Sequence, residues 1–298
     1  MTARKSGWVL RKCNFMPDFS VVIISYNGKE FLRRCLIAVQ KSILKPKKVI
    51  VVDDFSNDGT EAMVQKEFGF VDLIRNEKNL GPTASRNRGA KLAEGKYNIF
   101  IDNDVLIKLD TFSKIIDFME SRPDAGIVGA KLIPEGEEKM WWNMGYDPNN
   151  FREALGYLSG FLLKIFPKSQ WLKNFSMKFI LNYWDYDRIL AVDWVVEGCF
   201  AVRKDVFDKV NGFDERFFMY YEGPDLCRRV RQEGHKIYFE PEAKADLLDG
   251  HTRGQFKRKI FLHKSKYIFY KKHYFYKKSN PILFWLGRII SGILYLLA

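Results

Sequence analysis

The chain has 298 residues, a 47% apolar share and a net charge of +13, enough for one large domain or two small ones around a real core, which excludes a disordered chain. The charge is uneven: residues 250–298 hold 11 Lys and Arg and no acid, whereas residues 1–249 balance 38 basic against 36 acidic groups, so a nucleic-acid-binding face on the folded domain is not expected. The four cysteines, Cys13, Cys35, Cys199 and Cys227, show neither CxxC spacing nor a disulfide framework, which argues against a zinc ribbon and for a reducing compartment.

The N-terminus lacks the apolar run of a secretory signal, and residues 1–18 read as an extension. "FSVVIIS", Phe19 to Ser25, is a short apolar run of the buried parallel-strand type. A helix follows with Phe31, Leu32, Cys35, Leu36 and Val39 on one face. "KKVIVVDD" is a second strand, "NDGTEAMVQKEFG" a helix ending at Gly69, and "VDLIRN" a third strand. "GPTASRNRGAKLAEG" is a helix with Pro82 early and Gly95 at its end, and "YNIFID" a fourth strand. Strands alternating with helices predict an α/β sheet with right-handed crossovers, and ligands in such sheets sit beyond the carboxyl ends of the strands. From Trp141 to Leu190 the chain turns aromatic and carries four of the seven tryptophans, with two helical stretches, "EALGYLSGFLLKIF" and "WLKNFSMKFILNYW". "DWVVEGCFAVR" reads as one strand, "KDVFDKVNGF" as a short helix closed by Gly212, "GPDLCRRVRQEG" as a helix with Pro224 at its first position, and "KIYFEP" as a further strand.

Two strands end in acids. Helix capping explains Asn57 and Asp58 but not Asp53 at the strand end, so Asp53 is expected to meet a ligand, accepting from a base N–H or a ribose hydroxyl. Asp102-Asn103-Asp104 follows the fourth strand, and hard oxygen ligands at alternate positions suit Mg²⁺ or Mn²⁺ with diphosphate oxygens completing the shell. Asp104 is expected to reach the metal and Asp102 to face a sugar or ribose. Arg86 and Arg88 lie within two turns of a helix start, a placement that favours phosphate, or else form a solvated basic face. Glu222 and Asp225 flank another helix start, where acids also sit well for the helix dipole alone. A lone His251 is a metal-ligand candidate only if the fold brings it to Asp104.

Six stretches, "VVIISYNGKEFLRRCL", "VIVVDDFSNDGT", "NEKNLGPTASRNRGA", "YNIFIDNDV", "GCFAVRKDVFDKVNGFDERFFMYYEGPDLCRR" and "KIYFEPEAKADLLDGHTRG", together resemble family 2 glycosyltransferases of the GT-A fold, in order from Phe19 to about Gly254. The rhamnosyltransferase-like branch is the nearest in flavour. The resemblance implies a single Rossmann-like mixed sheet flanked by helices, with a nucleotide-sugar-binding half (19–110) and an acceptor half (111–254) that contains the aromatic insertion 141–190. It implies inverting transfer from a UDP-, dTDP- or GDP-linked sugar. It places Ser25, Tyr26, Asn27 and Asn103 by the nucleotide, Asp53 on the base or ribose, Arg86 by the diphosphate and Asp102 by the ribose. Asp104 becomes the metal ligand and His251 a second one. The family has adjacent acids, Glu-Asp, where this chain has Glu222-Gly223, so the usual base position is glycine, and Glu222 or Asp225 is expected to serve.

A nucleotidyltransferase would show a Gly-rich basic loop after the first strand, where this chain has "SYNGKE", and a dinucleotide-binding dehydrogenase fails for want of G-x-G-x-x-G. A non-catalytic nucleotide-sugar or glycan-binding protein of the same fold is the other alternative, kept open by Gly223. The tail, 255–298, is basic and then apolar, ending in "PILFWLGRIISGILYLLA". It is expected to associate with an anionic membrane on the cytoplasmic face, peripherally or as an anchor, with a lipid-linked or polysaccharide acceptor as substrate. Arg288 near the middle of that apolar end favours an interfacial helix, or part of a longer apolar region, over a spanning one.

Overall fold

A computed structural model describes residues 18–136, 143–177, 186–248 and 255–275. In its first half, strands β1 (Phe19–Ser25), β2 (Lys48–Asp53), β3 (Val71–Arg75) and β4 (Tyr97–Asp102) alternate with helices α1 (Lys29–Lys41), α2 (Thr60–Glu67) and α3 (Pro82–Leu92). The four strands pair in parallel, in the spatial order β3-β2-β1-β4. Their central residues are buried because helices cover both faces, which is why they read as unbroken apolar runs. α1 turns Leu32, Cys35, Leu36 and Val39 inward, the i, i+3, i+4, i+7 stripe of an amphipathic helix. The register sets Ser25 opposite Asp53 and Ile24 opposite Asp102, so both acidic strand ends flank the end of β1.

The second half extends the sheet on its β4 side. β5 (Val105–Ile107), α4 (Thr111–Ser121) and β6 (Ala125–Pro134) are followed by β7 (Met144–Gly145), α5 (Asn150–Ile165) and α6 (Gln170–Met177). Then come β8 (Leu190–Val192), β9 (Trp194–Val195), β10 (Cys199–Arg203), α7 (Lys204–Lys209), α8 (Glu222–Gln232) and β11 (Lys236–Leu247). The order continues β4-β10-β6-β11-β5, with β8 on β11, giving nine strands in one mixed sheet among the described residues. β10 runs antiparallel to both its neighbours. An aromatic cluster of Phe100, Phe200, Phe207 and Phe213 fills one face, with ring centroids 5.2 to 6.2 Å apart, spacing that suits offset and edge contacts.

Three elements depart from the sequence expectation. The stretch Asp193 to Arg203 is two strands, because β9 pairs with β7 in a separate small sheet while β10 belongs to the main one. The chain changes sheet at Glu197 and Gly198. α8 begins at Glu222, two residues before Pro224, since Tyr220 and Tyr221 adopt left-handed conformations (φ 69° and 62°) and the Asp225 N–H already donates to Tyr221 O at 3.0 Å. The tail helix α9 (Gln255–Tyr270) and the π-helical turn Lys271–Phe275 pack on the domain. Phe261 stacks on Phe218 with centroids 4.6 Å apart, Ser265 Oγ donates to Met219 O at 2.7 Å and Tyr274 Oη to Pro148 O at 2.8 Å. Among the described residues no helix is long and apolar enough to cross a membrane, and the apolar end Pro281–Ala298 lies outside them.

Candidate functional site

The donor side is built from strand ends. Asp53 is fully buried; its Oδ1 accepts the Ser56 N–H at 3.1 Å, and Arg75 Nη1 stands 3.8 Å from Oδ2. Oδ2 is buried with no hydrogen-bond partner in the structure, an acceptor that a ligand N–H or O–H would satisfy. Asn103 Nδ2 donates to Ser25 Oγ at 3.1 Å, tying the end of β4 to the end of β1. Asn27, at φ 49°, donates its N–H to Ser56 Oγ and accepts the Asn57 N–H, both at 2.9 Å. Tyr26 and Phe55 project from these two linked loops with 53% and 48% of their surface exposed. Both offer an apolar face beside a buried acceptor, and no pattern in the sequence had marked Phe55. Its φ of 71° is unusual for an aromatic residue and is a form of local strain that concentrates at functional sites.

Asp54 does different work. Its carboxylate accepts the Leu80 and Gly81 N–H groups at 2.8 and 2.9 Å and Asn76 Nδ2 at 2.6 Å, fixing the turn that starts α3. Gly81 is required there by its φ of 84°. One turn into α3 stands Arg86, buried to 3% exposure. Its Nη2 donates to Asp102 Oδ1 at 2.7 Å and its Nη1 to Glu222 Oε1 at 3.3 Å, and its guanidinium lies 5.7 Å from the Phe213 ring centroid. Burial opposes its charge, but Asp102, Glu222 and Glu197 overcome that and raise its pKa.

The acceptor side holds three carboxyls in different states. Glu222 is buried, with Oε1 on Arg86 and Oε2 without a partner, and burial raises its pKa against the pull of Arg86. Glu197, in the β9–β10 turn, is partly exposed; burial among its neighbours and then the charge of Glu222 push it up to about 8, with Arg86 opposing. Asp225 is surrounded by basic side chains: Arg229 Nε at 2.8 Å, Lys272 Nζ at 2.6 Å and His273 Nε2 at 2.7 Å. Burial alone would raise Asp225, but these partners hold it below the usual carboxylate range. The structure thus brings Ser25, Asn103, Asp53, Arg86, Asp102 and Glu222 around one region and turns Asp225 toward the tail. Glu197 had no motif of its own; an acid inside the otherwise apolar "WVVEGCFAV" was the available signal.

Asp104 lies just past β4, and its backbone oxygen accepts the Leu248 N–H at 2.8 Å. His251 falls outside the described residues, of which Leu248 is the last before it. Among the described residues no cluster of three or more His, Cys, Asp or Glu side chains forms a metal site.

Residues 20–184, more than half of the chain, match Glycosyl transferase family 2. The chain is 26% identical over 262 residues to N-acetylglucosaminyl-diphospho-decaprenol L-rhamnosyltransferase of Mycobacterium tuberculosis, covering 84% of this chain and 82% of that protein. The mannosyltransferase PcManGT from Pyrobaculum calidifontis, solved with GDP-Man and Mn²⁺, superposes with a TM-score of 0.60 at 15% identity, over 95% of this chain and 70% of that one. The crystal structure of GalNAc-T7 with UDP, GalNAc and Mn²⁺ gives a TM-score of 0.57 at 17% identity over 79% of this chain, which spans 44% of that protein's length. At these identities the two structures establish a shared fold of the GT-A kind.

Proposed function

The chain belongs to glycosyl transferase family 2, and we propose that this glycosyltransferase moves a sugar from a nucleoside diphosphate to a hydroxyl of a lipid-linked or other surface glycan, with inversion at the anomeric carbon. The observation that carries the reading is Arg86, a buried cation that bridges Asp102 on the donor side and Glu222 on the acceptor side. It fixes the separation of the two halves of the site, the positioning on which a displacement depends.

Asp53 Oδ2 takes the base imide or a ribose hydroxyl, between loops that present Ser25, Tyr26, Asn27 and Asn103. Asp102, held by Arg86, faces the ribose, and Arg86 sets positive charge beside the diphosphate. Asp104 offers a hard oxygen ligand at a strand end next to that diphosphate, so its chemistry fits Mg²⁺ or Mn²⁺, with His251 as a second ligand. A divalent ion there would neutralise the departing diphosphate. The attacking hydroxyl gives its proton to a carboxyl on the acceptor side, where Glu197 and Glu222 stand.

The relative's name specifies a decaprenol-linked acceptor, which supports a lipid-linked one here. So do the exposed apolar residues Leu158, Phe161, Ile165, Phe166 and Trp171 on α5, α6 and the turn between them, a stretch that also carries Lys164, Lys168 and Lys173. Apolar side chains interspersed with lysine suit the surface of an anionic membrane. The basic and apolar residues beyond Phe275 would add to that contact.

The test offers the purified chain UDP-, dTDP- and GDP-sugars with a synthetic N-acetylglucosaminyl-diphospho-lipid, and reads the product by proton NMR. A glycosylated lipid whose new bond has the opposite anomeric configuration to the donor is expected. A product with retained configuration, or none from any donor, would contradict the proposal.

A further inference from the structure

We propose that Glu197 is the group that receives the proton of the attacking hydroxyl, its carboxyl reaching from the β9–β10 turn into space left open by Gly223. The inference rests on the glycosyl-transfer reading and assigns a residue within it.

The packing at Gly223 is the first observation. A Cβ built there would lie 1.7 Å from Glu197 Oε1, 2.3 Å from Cδ and 2.7 Å from Cγ. A side chain at 223 would therefore require the flexible Glu197 side chain to swing aside, so the Glu197 carboxyl occupies in this structure the volume that a residue 223 side chain would otherwise fill. Gly223 is conformationally ordinary, within α8. Its lack of a side chain serves the neighbour.

The position of that carboxyl is fixed by the change of sheet. On one side of the turn the Val196 N–H donates to Asn143 O at 2.9 Å. On the other, Gly198 O accepts the Asp102 N–H at 3.0 Å. The residue between them is therefore locked next to the donor-side acid, and its side chain spans to the start of α8. No other carboxyl described on the acceptor side combines these properties. Asp225 is occupied by Arg229, Lys272 and His273, and Glu222 is buried with one oxygen on Arg86. Glu197 is partly exposed, and no side chain donates to its carboxyl among the described residues.

The chemistry is complete without another reactant. The acceptor O–H bond breaks as its oxygen bonds the anomeric carbon, and the proton passes to Glu197. The anomeric carbon–oxygen bond to the diphosphate breaks, and that electron pair leaves on the diphosphate. The partly exposed carboxyl then returns its proton to solvent. Glu222 is a positioning residue: it holds Arg86, and its negative charge increases the proton affinity of Glu197.

The experiment compares wild type, Glu197→Gln, Glu197→Ala and the double variant Glu197→Ala/Gly223→Asp. Each is measured for transfer to the N-acetylglucosaminyl-diphospho-lipid, for donor affinity by calorimetry and for melting temperature. Glu197→Gln should lose about 100-fold or more in kcat, with donor affinity unchanged within about twofold. The double variant, which moves a carboxyl to α8 with Glu197 out of its way, should recover at least about tenfold over Glu197→Ala. Glu197→Gln turning over at the wild-type rate, or a folded double variant no better than Glu197→Ala, would overturn the assignment. If the wild type binds a donor but transfers nothing, the glycosyl-transfer reading itself fails, and the inference with it; that result differs from the others because it appears before any substitution.

Discussion

At the end of β2 two neighbouring aspartates have different partners: Asp53 closes the strand and Asp54 is the first residue past it. Asp53 ends with a buried oxygen that no hydrogen bond satisfies, and Asp54 with three donors on its carboxylate. Asp54→Ala would strand the Leu80 and Gly81 N–H groups at a buried turn and should cost about 2–4 kcal/mol of stability in a urea titration. Asp53→Asn, which keeps its shape, should leave the urea midpoint nearly unchanged and weaken nucleotide binding about tenfold or more by calorimetry. The doublet itself was legible in the sequence. The division of labour was not, since it depends on the register with β1 and on a turn 26 residues further on, neither of which a local pattern encodes.

α8 and α9 show what composition conceals at the scale of elements. The basic tail reads from sequence as a surface for lipid, yet Lys272 and His273 both face inward to Asp225 Oδ1. Consecutive residues of a regular helix lie about 100° apart; here the π-helical turn Lys271–Phe275 widens the backbone where both reach one carboxylate. Because Asp225 is held below its ordinary value, its contribution is fully present above the unfolded-state pKa of about 3.9 and is lost as pH falls through the lower folded value. Amide exchange in α9 should therefore stay slow through mildly acidic pH and accelerate only below about pH 4. Asp225→Asn should speed that exchange already at pH 7. Exchange in α9 that is equal in wild type and Asp225→Asn would mean that this cluster does not hold the tail. α8 starts two residues before the position that Pro224 marks in the sequence for a related reason: the paired left-handed tyrosines that set its start carry side chains with no special liking for that conformation.

Across the whole molecule, legibility follows connectivity. The parallel half is a succession of local strand–helix–strand units, each with its own apolar period, punctuated by Gly and Pro, and its sequence pattern matches the observed order closely. In the other half the chain leaves the main sheet and returns, so that β9 and β10, five residues apart at their starts, belong to different sheets. Glu197 lies at that crossing, which is why an apparent strand residue becomes part of the site. The two halves meet at Arg86, and under the proposed function Asp104 would hold any divalent ion on the donor side.

A calorimetric titration of the nucleotide sugar that supports transfer, with and without Mn²⁺, on wild type and Asp104→Asn, tests this arrangement most directly. Mn²⁺ is expected to tighten donor binding about tenfold or more in wild type, and Asp104→Asn to abolish the gain while leaving metal-free binding in place. Equal donor affinity in all four conditions would contradict it.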